Sequence, residues 1–314
     1  MVPGAMLVAA SCPGSVTARV VAPAPVSGLV DWLTSQPGGR VGPIRFADSE
    51  MGDGGGGYAT RALKDGEELF SIPLSTVITA NDAIGDQDVG EELERVCYEE
   101  GERAAIAGYL ARGNLAASKG VDPWFSAYSA VLPKRELSDP HMLWWTQDEV
   151  TLLRGLTAHA ECVSMRKEVA EVTQTLSKGA LAAEVAEHGQ EAVDEAVRAA
   201  YVSVLSRSFT VGSEAFVEME SDAEGSELKA LIPLLDCLQH GPTPTVGYSY
   251  EDGEDGEGVL IVARTLGDQP AGTELSITYG SHPDFVFGVH CPPTPLPTHP
   301  SPPRPTAPVC ACHA

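Results

Sequence analysis

Leu231-Ile232-Pro233-Leu234-Leu235-Asp236-Cys237-Leu238-Gln239-His240-Gly241 is an apolar run that carries one carboxylate, ends in Gln-His and is broken at once by Gly241-Pro242. Polar side chains therefore stand where a buried element reaches its end, which is where sites tend to be built. Spacings of three and four would bring Asp236, Gln239 and His240 to one side if the segment is helical. Further along, Gly272-Thr273-Glu274-Leu275-Ser276-Ile277-Thr278-Tyr279-Gly280 sets a Gly-Thr turn before a short alternating strand. Leu275 and Ile277 are expected on one face and Ser276 and Thr278 on the other, and the strand delivers Tyr279 to its end beside a glycine hinge.

Around these stretches lies a chain of 314 residues, 43% hydrophobic and 20% charged, enough for one large or two modest domains with a sizeable core. Its 44 acidic and 20 basic residues give a net charge of -24. Such a field repels nucleic acid and attracts a basic protein partner, or else only keeps the chain in solution. The seven cysteines form no framework, and their odd number points to a reducing compartment rather than to secretion. No run approaches the roughly 18 apolar residues of a membrane span, so no membrane association is expected.

The order of segments reads as five parts. Residues 1–27 hold no acid and a single charged side chain, Arg19, and form either an organelle transit peptide or a disordered leader. Residues 28–90 open with a helical pattern (Leu29, Val30, Trp32, Leu33), pass to a strand at Ile44-Arg45-Phe46, and reach a glycine cluster ending at Gly57-Tyr58. Residues 91–200 are helical: Ala104, Ile106, Ala107, Leu110 and Ala111 share a face, and Thr146 with Glu149 forms a capping box. Aromatic residues in this block are read as core. Residues 201–290 return to strands, with Glu251-Asp252-Gly253-Glu254-Asp255-Gly256-Glu257-Gly258 as a solvated hairpin tip. Residues 291–314 are proline-rich and pack no core, and Cys310-Ala311-Cys312-His313 lacks a second ligand pair, so no metal is expected.

Taken as a pair, in this order and at this spacing, the two opening stretches resemble the signature of the SET-domain methyltransferases: apolar-Pro-Leu-x-Asp-x-x-Asn-His, then Gly-Glu-Glu-apolar-x-apolar-x-Tyr-Gly. The nearest pattern is that of the Rubisco large-subunit methyltransferase type. Other segments fit it too. Gly57 to Pro73 is similar to the opening pair of SET strands joined by an Asp-Gly turn, and Trp124 to Pro133 and Trp145 to Gly155 resemble two runs of the family's helical insert. Ser206-Arg207-Ser208-Phe209 resembles its Ser-Arg-x-Phe.

The resemblance implies an α+β SET fold of several short sheets interrupted by a helical insert. It implies a protein-lysine N-methyltransferase that uses S-adenosyl-L-methionine and acts on a non-histone protein; the net charge points to a basic or lysine-bearing one, and the cysteines and leader to the cytoplasm, a plastid or another organelle. Gly57 and Tyr58 would lie against the methyl donor through the backbone, Arg207 against its carboxylate, and Asp236, Gln239 and His240 would complete the donor pocket. Phe209, Leu235 and Tyr248 would wall the substrate channel, and Tyr279 would be the catalytic residue. Two departures stand out: Gln239 replaces the family's asparagine, and the proline-rich end replaces a helical substrate-binding domain. Histidine methylation, or a binding module without catalysis, are the alternatives.

Overall fold

The computed structural model describes residues 26–51, 55–117, 120, 123–135, 141–212, 227–254 and 258–279. The leader as far as residue 25, the first part of the glycine cluster, and everything from residue 280 onward, including the proline-rich end, lie outside the described residues.

Helix α1 (Val26–Thr34) buries Leu29 and Leu33, one turn apart, and begins two residues before the expected Gly28. Strands β1 (Arg40–Val41) and β2 (Ile44–Asp48) follow, then β3 (Gly55–Ala59), β4 (Glu68–Pro73) and β5 (Ile78–Thr79). A run of helices comes next: α2 (Ala80–Ile84), α3 (Gly90–Glu100), α4 (Glu102–Ala117), α5 (Ser126–Ser129), α6 (Gln147–Leu152), α7 (Thr157–Lys178), α8 (Ala182–His188) and α9 (Gln190–Arg207). The chain then returns to strands β6 (Ser208–Gly212), β7 (Glu227–Leu231), β8 (Gln239–His240), β9 (Val246–Asp252), β10 (Val259–Thr265) and β11 (Glu274–Ile277).

The strands form three small sheets, ordered β1-β4-β10-β9, β2-β3-β11-β8 and β5-β7-β6. Strands β4 and β10 are central and covered on both faces, which is why Leu69-Phe70-Ser71-Ile72 and Leu260-Ile261-Val262-Ala263 read as apolar runs without alternation. The acidic stretch falls between the paired strands β9 and β10, whose register sets Asp252 opposite Val259; residues 255–257 lie outside the described residues.

The helices pack as one block. Helix α4 is buried along Ala104 to Ala111, and its small side chains let neighbouring helices approach closely. At Gly108 a β-carbon would come within 2.7 Å of Leu176 on α7 and 2.9 Å of Leu93 on α3, so a glycine stands mid-helix despite its poor propensity. The capping box forms as expected: Thr146 Oγ1 accepts from the Glu149 amide, and Glu149 Oε2 accepts from the Thr146 amide at 2.6 Å. Phe125, Tyr128 and Trp144 are core residues, whereas Trp124 is 40% exposed and donates its Nε1–H to the Tyr109 hydroxyl.

The structure adds to the sequence reading at three places. First, the Asp-Gly turn is present, with Gly66 at φ +74°, yet the strands on either side do not pair: β3 and β4 lie in different sheets. The connection is instead held by the segment after β10, through a Leu63–Gln269 bridge, Asp65 N–H to Asp268, and the Gly267 amide to Asp65. Second, the alternation along β11 does not divide it into a buried and an exposed face: Glu274, Leu275, Ser276 and Ile277 are all buried. Third, the segment holding Asp236, Gln239 and His240 is not one helix. Asp236 lies in a single 3-10 turn, Leu235–Cys237, and Gln239 and His240 lie on β8, so successive side chains there point to opposite faces.

Candidate active site

Strand β8 is built to the parallel side of β11, with Gln239 opposite Ser276 and His240 opposite Ile277. This pairing carries His240 to the end of β11, where its Nδ1 accepts the Tyr279 backbone N–H at 3.0 Å. A ring nitrogen that accepts a hydrogen bond carries no proton, so His240 stands here as the neutral imidazole with its proton on Nε2. The two rings lie 5.4 Å apart at 39°, and the Tyr279 hydroxyl donates to the Leu238 carbonyl at 2.8 Å. Tyr279 is thereby fixed at both ends, main chain and phenol.

On the other side of β8, Gln239 Nε2 donates to the Gly55 carbonyl at 2.9 Å. The long amide thus reaches the first residue of β3 and joins the glycine cluster to the Gln-His pair. The glycines at 56 and 57 have a packing reason of their own. A β-carbon on Gly57 would fall 2.6 Å from Leu238 Cδ2 and 2.7 Å from Ile44 Cδ1, and one on Gly56 would fall 2.1 Å from Glu274 Oε1. Tyr58 is turned inward: its hydroxyl lies 2.7 Å from the Asp48 carbonyl and 3.1 Å from Glu274 Oε2, and the Arg45 guanidinium covers its ring at 4.7 Å. Burial, with the nearby Glu274 charge, pushes the Tyr58 phenol up to about 12.

A second cluster lies upstream on the same segment. The 3-10 turn is entered through Leu234 at φ +65°, the one non-glycine residue with positive φ among the described residues, a conformation that costs roughly 1–3 kcal/mol. It sinks the Asp236 side chain to 0% exposure, where Oδ2 accepts from Arg207 Nη1 at 3.2 Å and from the Tyr128 hydroxyl at 2.8 Å. The Cys237 thiol donates to Asp236 Oδ1 at 3.6 Å. Burial pushes the Asp236 carboxyl up against the pull of Arg207. Burial, reinforced by Asp236, likewise raises the Cys237 thiol to about 12. Burial alone would weaken the Arg207 charge, but the Asp236 carboxylate outweighs it and holds the guanidinium protonated. Arg207 gives Nη1 to Asp236, and 26% of its side chain is exposed. A small carboxylate fits that arrangement chemically.

Two residues beyond Arg207, Phe209 on β6 meets Tyr248 on β9 edge to face, centroids 5.9 Å apart at 87°. Tyr248 is 38% exposed, and burial of the remainder raises its phenol. Leu235 has no exposed surface and belongs to the core.

Hydrogen bonds therefore join Gly55 to Gln239 and His240 to Tyr279, two pairs made one group by the Gln239–His240 peptide bond, and they join Arg207, Asp236, Cys237 and Tyr128 in another. Phe209 and Tyr248 form a third group by ring contact. Arg207-Ser208-Phe209 and Asp236-Cys237-Leu238-Gln239 are the short covalent links between the groups. Tyr58 and Asp236 face buried protein partners. A shallow cleft of about 270 Å³ lined by Glu100, Gly101, Glu102, Arg103, Glu168 and Lys229 shares none of these residues. Two functional-looking side chains escaped the sequence reading: Tyr128, whose partner lies 108 residues away, and Glu274. For Glu274 a signal existed, since an acid inside a buried strand requires hydrogen-bond donors.

The chain is similar to solved structures of a Rubisco methyltransferase. The SET domain of LSMT bound to lysine and AdoHcy superposes with a TM-score of 0.63 at 16% identity, over 84% of this chain and 56% of that one. The chain has the SET-domain fold. The same SET domain bound to MeLysine and AdoHcy gives a TM-score of 0.62 at 17% identity over 84% of this chain and 55% of that one. Rubisco LSMT bound to AdoMet gives 0.59 at 16% identity over 86% and 56%. This SET-fold chain thus spans just over half the length of the structures it matches. No protein-family model and no curated protein sequence matches it. No helix among the described residues is long and apolar enough to cross a membrane.

Proposed function

We propose that the chain is an S-adenosyl-L-methionine-dependent protein N-methyltransferase that acts on a lysine side chain. The observation that carries this reading is the fixation of Tyr279 at both ends, by His240 Nδ1 and the Leu238 carbonyl, at the tip of the β11 strand of a SET fold. The solved structures of similar fold hold AdoMet or AdoHcy and lysine or methyllysine, which supports the same co-substrate and acceptor here.

The methyl donor supplies a sulfonium carbon open to in-line displacement. Arg207 holds its carboxylate, and the Gly55 to Tyr58 backbone, with Gln239 and His240, borders the pocket. Asp236 acts at one remove by orienting Arg207. The attacking lysine must be neutral, and a channel walled by the Phe209–Tyr248 ring pair and Tyr279 favours the neutral amine by withholding water from the ammonium. A phenol has one proton and two lone pairs, and Tyr279 gives that proton to Leu238 O. Its oxygen therefore acts as an acceptor that aligns the amine N–H and stabilises charge developing on nitrogen. The amine lone pair forms the new N–C bond as the S–C bond breaks, and the extra proton then leaves to solvent. The charge of -24 suits a basic protein partner.

A second reading, a SET-fold binding module that takes up no donor, draws on one observation: the Gln239 amide is already engaged by Gly55 O. Calorimetric titration of the full chain with S-adenosyl-L-methionine separates the two. Binding, with radiolabelled methyl transfer to a lysine-bearing peptide pool and none to a histidine-only pool, supports the enzyme. Absence of binding leaves the module.

A further inference from the structure

We infer that Glu274 is a positioning residue for donor binding, tethering the tip of the β2–β3 hairpin without touching the reacting atoms. The inference rests on the methyltransferase reading above. Glu274 opens β11 and is 6% exposed, so its carboxylate must find donors inside the protein. It finds them on the hairpin. Ser49 Oγ donates to Oε1 at 2.5 Å and the Glu50 amide donates to Oε2 at 2.8 Å, both more than 200 residues away along the chain. The Tyr58 hydroxyl lies 3.1 Å from Oε2, and Met51 N–H donates back to Ser49 Oγ at 3.0 Å, so Ser49 to Met51 are held to one another as well as to Glu274.

The carboxylate lies directly against Gly56, where a β-carbon would come within 2.1 Å of Oε1. The glycine character of β3 at that position is therefore a requirement of Glu274. The next residue back, Gly55, gives its carbonyl to Gln239. The hairpin is thus gripped by two side chains of the C-terminal half, Glu274 on its turn and Gln239 at the start of β3. Because β11 carries Glu274 at one end and leads to Tyr279 at the other, the same strand sets the hairpin and the catalytic phenol in one frame.

Glu274→Leu keeps most of the volume and removes both acceptor oxygens, so neither Ser49 Oγ nor the Glu50 amide keeps its partner and the tether breaks without emptying the site. Three quantities are read on the full chain: amide hydrogen exchange at Glu50, donor KM, and kcat at saturating donor. The expected result is about tenfold faster exchange at Glu50 and about a tenfold rise in donor KM, with kcat and peptide KM changing less than about twofold. Ser49→Ala, which leaves Glu274 intact, should move the same two quantities in the same direction by less. Unchanged exchange in Glu274→Leu overturns the tether. Faster exchange with unchanged donor KM, or a fall in kcat with donor KM unmoved, overturns the positioning role. A wild-type chain that binds no donor defeats the methyltransferase reading and this role together, and the exchange rate then still tells whether the tether itself exists.

Discussion

The Tyr128 hydroxyl donates to Asp236 Oδ2 at 2.8 Å, joining the helical block to the Gln-His segment through a carboxylate with no exposed surface. Asp236 is thus held from two sides, by a neutral donor in the insert and by the Arg207 cation at the end of α9. Removing one donor to a charged acceptor costs roughly 1.5–3 kcal/mol. Removing the cation leaves the carboxylate buried and uncompensated, at about 3–5 kcal/mol. Urea unfolding of Tyr128→Phe and Arg207→Met should fall in that order, Arg207→Met being the more damaging. Equal losses would mean that Asp236 does not depend on Arg207 for its charge.

The glycine strand gives a packing prediction. In Gly57→Ala the new methyl meets Leu238 and Ile44 at under 3 Å on both sides, both of them side chains packed in place. Overpacking of this kind costs about 1–3 kcal/mol, which urea unfolding measures directly. A neutral effect would mean that the Leu238 and Ile44 side chains turn aside to admit the methyl.

Tyr58 supplies a pH dependence. Burial and the Glu274 charge hold its phenol proton up to about 12, against about 10 in the unfolded chain. Between those values the folded chain keeps a proton that the unfolded chain has lost, so this contribution to stability is present below about pH 10 and is lost as pH rises toward about 12. The stability difference between wild type and Tyr58→Phe should therefore shrink across that window in urea unfolding series. A difference that stays constant would place the Tyr58 titration at its ordinary value.

The capping box at the start of α6 is a local test. Thr146→Ala removes the acceptor for the Glu149 amide and should cost about 1 kcal/mol by thermal or urea unfolding. No loss would mean that water caps the helix equally well.

How much of this could be read from the chain follows from the range of the interactions. The capping box, the β9–β10 hairpin and the helical block depend on neighbours in sequence, and their residue patterns announce them. The SET fold was legible because two separated stretches carry a shared pattern. The separate destinations of β3 and β4 were not, since Leu63 and Asp65 find their partners at Gln269 and Gly267, on the far side of the chain. The spacing leaves open whether Asp236 to His240 is helical, for a related reason: β11 offers Gln239 and His240 a strand to pair with, and tertiary pairing overrides local spacing. Asp236, Gln239, His240 and Tyr279 were all singled out, yet their division into a buried ion pair and a Tyr279 clamp required the fold. Tyr128 and Glu274 bind partners that no local pattern reveals.

The central claim is that Tyr279 performs methyl transfer within a pocket that holds S-adenosyl-L-methionine. The direct measurement is donor binding by calorimetry on the full chain beside Tyr279→Phe, with radiolabelled methyl transfer to lysine peptides read on both. The account predicts that the two bind the donor within about threefold of each other while the variant loses transfer by about a hundredfold or more. A variant that transfers methyl groups as fast as wild type, or a wild-type chain that binds no donor, would contradict it.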